Sequence, residues 1–306
     1  NRGKQSVCID LKASDALQRL TPLIEEADVL VEQFRPGVMD RLGLGYAALA
    51  KINPRLVYCS ITGFGQYGPR AKEAAHDLNY AAAAGMLSLT TGSDGAPVLP
   101  PALIADIAGG AYPAMINILL ALRQRDQTGK GLHLDVSMAD NLFTFQYWGL
   151  GAGALGAWPQ PGSELVTGGT PRYQIYRTAD NAYLAAAPLE DKFWDKFLAL
   201  VDLDAKVLEG LSAQASTAII AETIAKQSAA YWEERFDNQD VCTGRIVCCE
   251  DAPKDPHFNT RELFSHSVTT ASGKNITAIP VPVDRAFRNN AKSRPSPALG
   301  ADNHLL

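Results

Sequence analysis

The sequence predicts an α/β chain in two parts, a large domain built on a parallel sheet and a smaller α+β domain. Three observations carry this. Short apolar runs alternate with helical periods from residue 6 to residue 62. A stretch rich in Gly, Ala, Pro and Ser, residues 151–172, then breaks the pattern and reads as a linker. Beyond it, two short strands precede three helical segments. Strand–helix–strand repeats at this pitch call for parallel pairing with helices on the sheet faces. The expected large domain is 1–150, rejoined by a C-terminal return at 280–306. The expected small domain is 173–270.

Each element has its own signal. "SVCIDL", Ser6 to Leu11, reads as a strand. "SDALQRLTPLIEEA" follows, with Ser14 as N-cap and Leu17, Leu20, Leu23 and Ile24 on one face. Pro22 argues for a break, with Thr21 capping a second helix. "DVLVE" and "RLVYCSIT" are strands, separated by the short helix "YAALAKIN". "GFGQYGP" follows the second of them. Its glycines suit either a tight connection or close approach of a ligand. A long helix is expected over Asp106 to Arg125, then a strand over Gly131 to Val136, then a helix over "MADNLFTFQYWGL". "YQIYRTADNAYLAAAP" reads as two strands around an Asp-Asn turn. "KFWDKFLALV", "TAIIAETIAKQ" and "YWEERF" read as helices.

Composition narrows the function. The chain has 306 residues, a net charge of -5 and an ordinary globular composition, 46% hydrophobic and 20% charged. No basic block is dense enough to follow a phosphate backbone, which argues against nucleic acid. The five cysteines are irregularly spaced and form no C-x-x-C, so neither a disulfide framework nor a zinc site is expected. Reduced, mostly buried thiols in a cytoplasmic protein fit best. No His pair has metal-ligand spacing. "IAGGAYPAMINILLALR", Ile107 to Arg123, is short for a membrane span and carries Pro113 and Asn117, so a buried core helix is expected. The opening, "NRGKQSVCIDLK", reads like the interior of a longer protein.

Three residues have the chemistry of proton transfer. His76, in "AAHDLNY", is either a proton carrier or a polar residue at the mouth of a helix. Asp106, in "LIADIAGG", is a lone carboxylate in apolar surroundings. It reads as a helix cap or as a group whose pKa is tuned by burial. Glu190, in "APLEDKFW", reads first as an acid at a helix start. His133 alternates within a strand and reads as structural. The absence of G-x-S-x-G argues against serine hydrolysis.

One ordered set of motifs adds to these readings. "ADVLVEQFRPGVMDRLGLGY", "NPRLVYCSITGFGQYGP", "HDLNY", "ADIAGG" and "GKGLHLDVSMAD" follow the opening motif in sequence. "DNAYLAAAPLEDKFW", "DPHFNTRELF" and "PSPALGADN" extend the series. The chain thereby resembles the class III CoA-transferase family (CaiB/BaiF type), and within it the α-methylacyl-CoA racemase branch. The transferase branch shares the position of Asp106, there a nucleophile that forms a mixed anhydride with the acyl group. The racemase branch resembles this chain in carrying the histidine as well. The segment after Glu190 departs from that branch, reading "EDKF", but keeps the acid and the aromatic.

The resemblance implies a Rossmann-like large domain, a smaller α+β domain and an interlocked homodimer. It implies an acyl-CoA substrate, no separate cofactor and no metal. The catalytic residues would be His76, Asp106 and Glu190, the last supplied by the partner subunit. The CoA contacts would be Lys12, Gln33, Phe34, Arg35, Arg41, Ala75, Asp77, Leu78, Asn79 and Tyr80. The enolate oxygen would be met by a backbone N–H near Asp106. The alternatives are CoA transfer through Asp106 and an inactive CoA-binding chain. The second arises because members of the family begin some tens of residues before the opening motif.

Overall fold

A computed structural model of the chain describes residues 2–92, 94–288 and 293–306. Asn1 of the opening motif, Ser93 and residues 289–292 of the expected return lie outside the described residues. Two compact units emerge. The first holds residues 1–80, 103–141 and 248–306; the second holds 81–102 and 142–247.

The first unit is a parallel sheet with helices on both faces. Helix α1 (Ala16–Glu26) precedes strand β1 (Val29–Glu32). Helices α2 (Val38–Arg41) and α3 (Tyr46–Ile52) lead to β2 (Val57–Thr62). Helix α4 (Asp77–Ala83) leaves this unit. The chain returns through a π-helical segment, Ala105–Ala111, and helix α5 (Tyr112–Thr128) to β3 (His133–Ser137). The strand order is β1-β2-β3, all parallel. The central strand β2 is buried almost throughout, as a parallel strand covered on both faces must be. Its side chains alternate between two cores. Tyr58 packs with Ile24, Leu44, Leu49 and Leu56 under α1 and α3. Cys59 packs with Ala114, Ile118 and Val136 under α5. Arg125 bonds the Asp28 carboxylate at 2.8 Å and the Arg55 carbonyl at 3.3 Å, tying α5 to the entry of β1 and β2.

Several local expectations are corrected here. No strand forms over 6–11 among the described residues. The Ser6 and Cys8 N–H groups instead donate to the side chains of Asp302 and Asn303, both at 2.7 Å. Helix α1 runs unbroken through Pro22. The Thr21 hydroxyl caps nothing; it donates back to the Leu17 carbonyl at 2.8 Å. The helix expected over 106–125 spans 105–128, a run of 24 residues long and apolar enough to cross a membrane by length and composition. Neither Pro113 nor Asn117 ends it, because Pro113 sits in the first turn of α5 and the Asn117 amide bonds the Pro113 carbonyl. Nor is it a fully buried core helix. Ala114, Ile118 and Ala121 face the sheet, whereas Met115, Ile116, Leu119 and Leu120 are exposed.

The second unit continues from α6 (Met138–Leu142), which starts in the first, into α7 (Tyr147–Ala154). A short 3₁₀ turn, 143–146, divides the single helix expected there. The proposed linker is partly ordered. Helix α7 extends to Ala154, and Glu164 and Thr167 close a capping box around a second turn. An antiparallel sheet of β4 (Gln174–Arg177), β5 (Tyr183–Ala186) and β6 (Thr243–Arg245) carries helices α8 (Asp191–Leu200), α9 (Ala213–Ile224) and α10 (Ala229–Phe236). Phe197 is fully buried among Tyr176, Trp194 and Phe236, with ring centroids 5.8–6.5 Å apart. The alternation of β5 is plain: Leu184 and Ala186 are buried, and Tyr183 and Ala185 are exposed.

The domain borders fall elsewhere than expected. Residues 81–102 join the second unit, where the Leu89 carbonyl accepts from Gly162 and the Ala84 carbonyl from the Gln146 amide, both at 3.0 Å. Residues 248–270 join the first, along with the return. There β7 (Ser267–Thr269) pairs antiparallel with β8 (Asn275–Thr277) and parallel with β9 (Ser293–Pro295). Truncating Phe197 tests the second core. Phe197→Ala is expected to cost about 3–5 kcal/mol, read by denaturant unfolding, because it empties the centre of an aromatic stack.

Candidate active site

Parallel strands present their carboxyl ends on one side, and loops leaving those ends form a natural crevice. In the first unit a pocket of about 620 Å³ lies there. Gln33, Phe34 and Arg35 reach it from the loop after β1, Gly63 and Phe64 from the loop after β2, and Met138 from the end of β3. Ala75, His76, Asn79 and Tyr80 come from the entrance of α4, and Asp106 from the first turn of the π-helical segment.

The entrance of α4 explains the placing of His76. Its N–H donates to the Asn79 side chain at 3.0 Å, and its carbonyl accepts from the Asn79 and Tyr80 N–H groups. This reciprocal arrangement is half of a capping box. His76 is thus at a helix mouth and on the pocket wall at once, with its imidazole exposed. Tyr80 holds the preceding residue, its hydroxyl donating to the Ala75 carbonyl at 2.7 Å. The ring fits only because residue 63 is glycine. A Cβ there would stand 2.1 Å from a Tyr80 ring carbon. Phe64 meets the same ring edge-on at 5.2 Å.

Asp106 is not the cap of its helix: the N-cap position is Ile104, and Asp106 lies in the first turn of the π-helical segment. Its backbone N–H is instead capped by the Asp77 carboxylate at 2.9 Å. The Asp106 carboxyl is pushed above the ordinary carboxylate range, first by burial and then by the negative charge of Asp77, against an opposite pull from His76. The Tyr80 phenol is raised as well, by burial first and then by Asp106, with Arg35 opposing. The donor expected near Asp106 is constrained. The N–H of Asp106 is engaged by Asp77, and that of Ile107 by the Leu103 carbonyl at 3.1 Å.

The CoA contacts divide. Gln33, Phe34, Arg35, Ala75, Asn79 and Tyr80 line the pocket, while Lys12, Arg41, Asp77 and Leu78 do not. Asp77 is only 7% exposed and turned towards the Asp106 backbone. Lys12 and Arg41 are exposed. Glu190 belongs to the second unit, exposed at the N-cap of α8, where its carbonyl accepts from Phe193 and Trp194. Sequence reasoning missed Glu73 and Met138. Glu73 pairs with Arg70 at 2.7 Å, and the Arg70 guanidinium covers the Phe64 ring. An i,i+3 ion pair of this kind has no sequence signal of a pocket. Met138 follows directly on a strand's carboxyl end, which was available as one.

His133 is structural as expected. It bonds the Ser60 hydroxyl at 2.9 Å and stacks on Tyr46. Only one of the five free cysteines is buried, which corrects the expectation of mostly buried thiols. That one is Cys59, whose thiol burial pushes up to about 11, with Glu32 and Asp135 adding. Among the described residues, no group of three or more His, Cys, Asp or Glu side chains is arranged to hold a metal ion.

An imidazole and a carboxyl that holds its proton more readily than an ordinary acid can each take and return a proton. Facing one pocket, they can serve two sides of one carbon. The carboxylate alone can attack an acyl carbon as a nucleophile.

Comparison with known proteins gives the family of the chain. The model of CoA-transferase family III matches residues 1–303. The α-methylacyl-CoA racemase of Mus musculus is 36% identical over 271 residues, 86% of this chain and 70% of the racemase. The acetyl-CoA:oxalate CoA-transferase of Acetobacter aceti is 32% identical over 285 residues, 87% of this chain and 71% of that enzyme. Among solved structures, a CAIB/BAIF family protein from Brucella suis superposes with a TM-score of 0.81 at 28% identity, covering 99% of this chain and 81% of its own. The chain belongs to CoA-transferase family III, with the α/β architecture of that family.

Proposed function

We propose that this chain inverts the α-carbon of 2-methyl-branched acyl-CoA thioesters. The observation that carries the reading is that His76 and Asp106, thirty positions apart, line one pocket. Inversion at a carbon next to a thioester needs a base on one face and an acid on the other. One of the two, His76 or Asp106, takes the α-proton, and the electron pair moves into the thioester carbonyl to give an enolate. The other, already protonated, returns a proton to the opposite face. The reverse direction exchanges the roles. No oxidant, metal or carrier is consumed, so the proposed reaction asks for no cofactor beyond the CoA of its substrate. Glu190 is proposed to orient or charge His76, and to reach it from the partner of a homodimer.

The bare apolar face of α5 supports the dimer. Met115, Ile116, Leu119 and Leu120 make a surface that a free monomer has little reason to expose. Arg35 at the pocket answers the anionic CoA, with Lys12 and Arg41 proposed as outer contacts for its phosphates. The transferase likeness supports a second reading, in which Asp106 attacks the acyl carbon and releases CoA.

Incubation of a 2-methyl-branched acyl-CoA in heavy water is expected to place deuterium at the α-carbon. Passage of CoA from the thioester to an added free acid, without α-exchange, would establish the transferase instead. His76→Ala and Asp106→Ala should each lower inversion of the α-carbon by roughly 10²–10⁴-fold while acyl-CoA still binds; unchanged inversion in His76→Ala sinks the two-base scheme.

The raised Asp106 carboxyl also sets a pH dependence. A group that binds its proton more tightly when folded stabilises fully below its unfolded pKa of about 4 and loses that contribution as pH rises through the folded value. Asp106→Asn should therefore raise the melting temperature at pH 7, with the gain vanishing near pH 3.5–4 (roughly the unfolded Asp range). Sedimentation should give a dimer, weakened by Leu119→Glu; a monomer bound to lipid vesicles would point the α5 face to a membrane.

A further inference from the structure

We propose that Asp77 is not a CoA contact but a positioning residue, whose carboxylate holds the Asp106 backbone and fixes the stance of Asp106 towards His76. The inference rests on the two-base reading above. Three observations carry it. Asp77 is the peptide neighbour of His76 and the first residue of α4. The residue is only 7% exposed, and its carboxylate accepts the Asp106 N–H at 2.9 Å. It does not line the pocket, although His76 before it and Asn79 and Tyr80 after it do.

One side chain thus bridges the two segments that carry the candidate bases. The bridge consists of the His76–Asp77 peptide, the Asp77 side chain and one hydrogen bond. The Asp106 turn needs such a hold. It opens a π-helical segment, whose widened hydrogen-bonding pattern leaves its first N–H groups to outside partners. Asp77 also stands at the first position of α4. Its charge then stands beside Asp106 and resists ionisation of that carboxyl. The other charged or titratable groups at the pocket are His76, Tyr80, Arg35 and Glu73.

Geometry and charge can be separated. Asp77→Asn keeps an oxygen acceptor for the Asp106 N–H and removes the charge. Asp77→Ala removes both. In the full chain, ¹³C NMR of the Asp106 carboxyl should show titration at lower pH in Asp77→Asn than in the wild type. The acid limb of the exchange profile in heavy water should move the same way, with the maximal rate reduced less than about tenfold. Asp77→Ala should lose roughly 10²-fold in kcat, the scale for a misplaced catalytic group, with KM for acyl-CoA within about twofold. An Asp106 titration unmoved in Asp77→Asn overturns the inference. So does a raised KM with unchanged kcat, which would return Asp77 to CoA binding. If Asp77→Ala does not fold, Asp77→Asn decides by its titration alone. If the wild type shows no α-exchange, the two-base reaction falls, and the carboxyl titration still decides whether Asp77 governs Asp106.

Discussion

Burial of strand β2 on both faces constrains everything around the pocket. A strand flanked by β1 and β3 and covered by helices must satisfy its backbone within the sheet and fill both faces with apolar groups. Tyr58 and Cys59 point into two different cores, so neither β2 nor its helices can shift without opening one of them. The loop after Thr62 is therefore delivered to a fixed place. The Asp135 carboxylate holds it further, accepting the Gln66 N–H at 3.0 Å, and the Gly63 carbonyl accepts from Ala139. The pocket wall inherits its rigidity from the sheet.

On that wall, small residues and hydrogen bonds to backbone do the placing. Gly63 lets Tyr80 lie against the β2 loop, and Tyr80 in turn holds Ala75 beside His76. Gly110, on the far side of the π-helical segment, faces Met138, and the Asn141 amide donates to the Gly109 carbonyl at 2.8 Å. Asp106 is thus anchored at both ends of its segment by side chains from other elements. Its carboxyl is left exposed to the pocket, yet in an environment that resists its charge. A group in that position moves protons more readily than an ordinary surface acid.

The second unit rests on different physics. Its core is aromatic, and the starts of α9 and α10 are capped by side chains. Ser212 accepts from Ala215, Ser228 from Tyr231, and Asp180 from Ala229. The Trp232 indole donates to the Ile224 carbonyl at 2.9 Å, so the largest buried side chain of α10 leaves no polar atom idle. Glu190 stands at the N-cap of α8, next to this core.

The sequence by itself determined the elements whose cause is local. Apolar alternation marked β1, β2, β4 and β5, and helical periods marked α1, α3, α8, α9 and α10, because those patterns follow from the geometry of the elements themselves. It also singled out His76 and Asp106, since an imidazole before a helix and a carboxyl in an apolar run are unusual wherever they fold. Tertiary structure decided the rest. The start of the chain pairs with side chains of its end rather than forming a strand, because Asp302 and Asn303 offer the partners its N–H groups require. Residues 81–102 and 248–270 joined the units that satisfied their hydrogen bonds, which no linear composition reveals. Asp77 enters the sequence reading only as a CoA contact implied by the resemblance. Its bond to Asp106 spans 29 residues and depends on two helix entrances being brought together by the sheet beneath them.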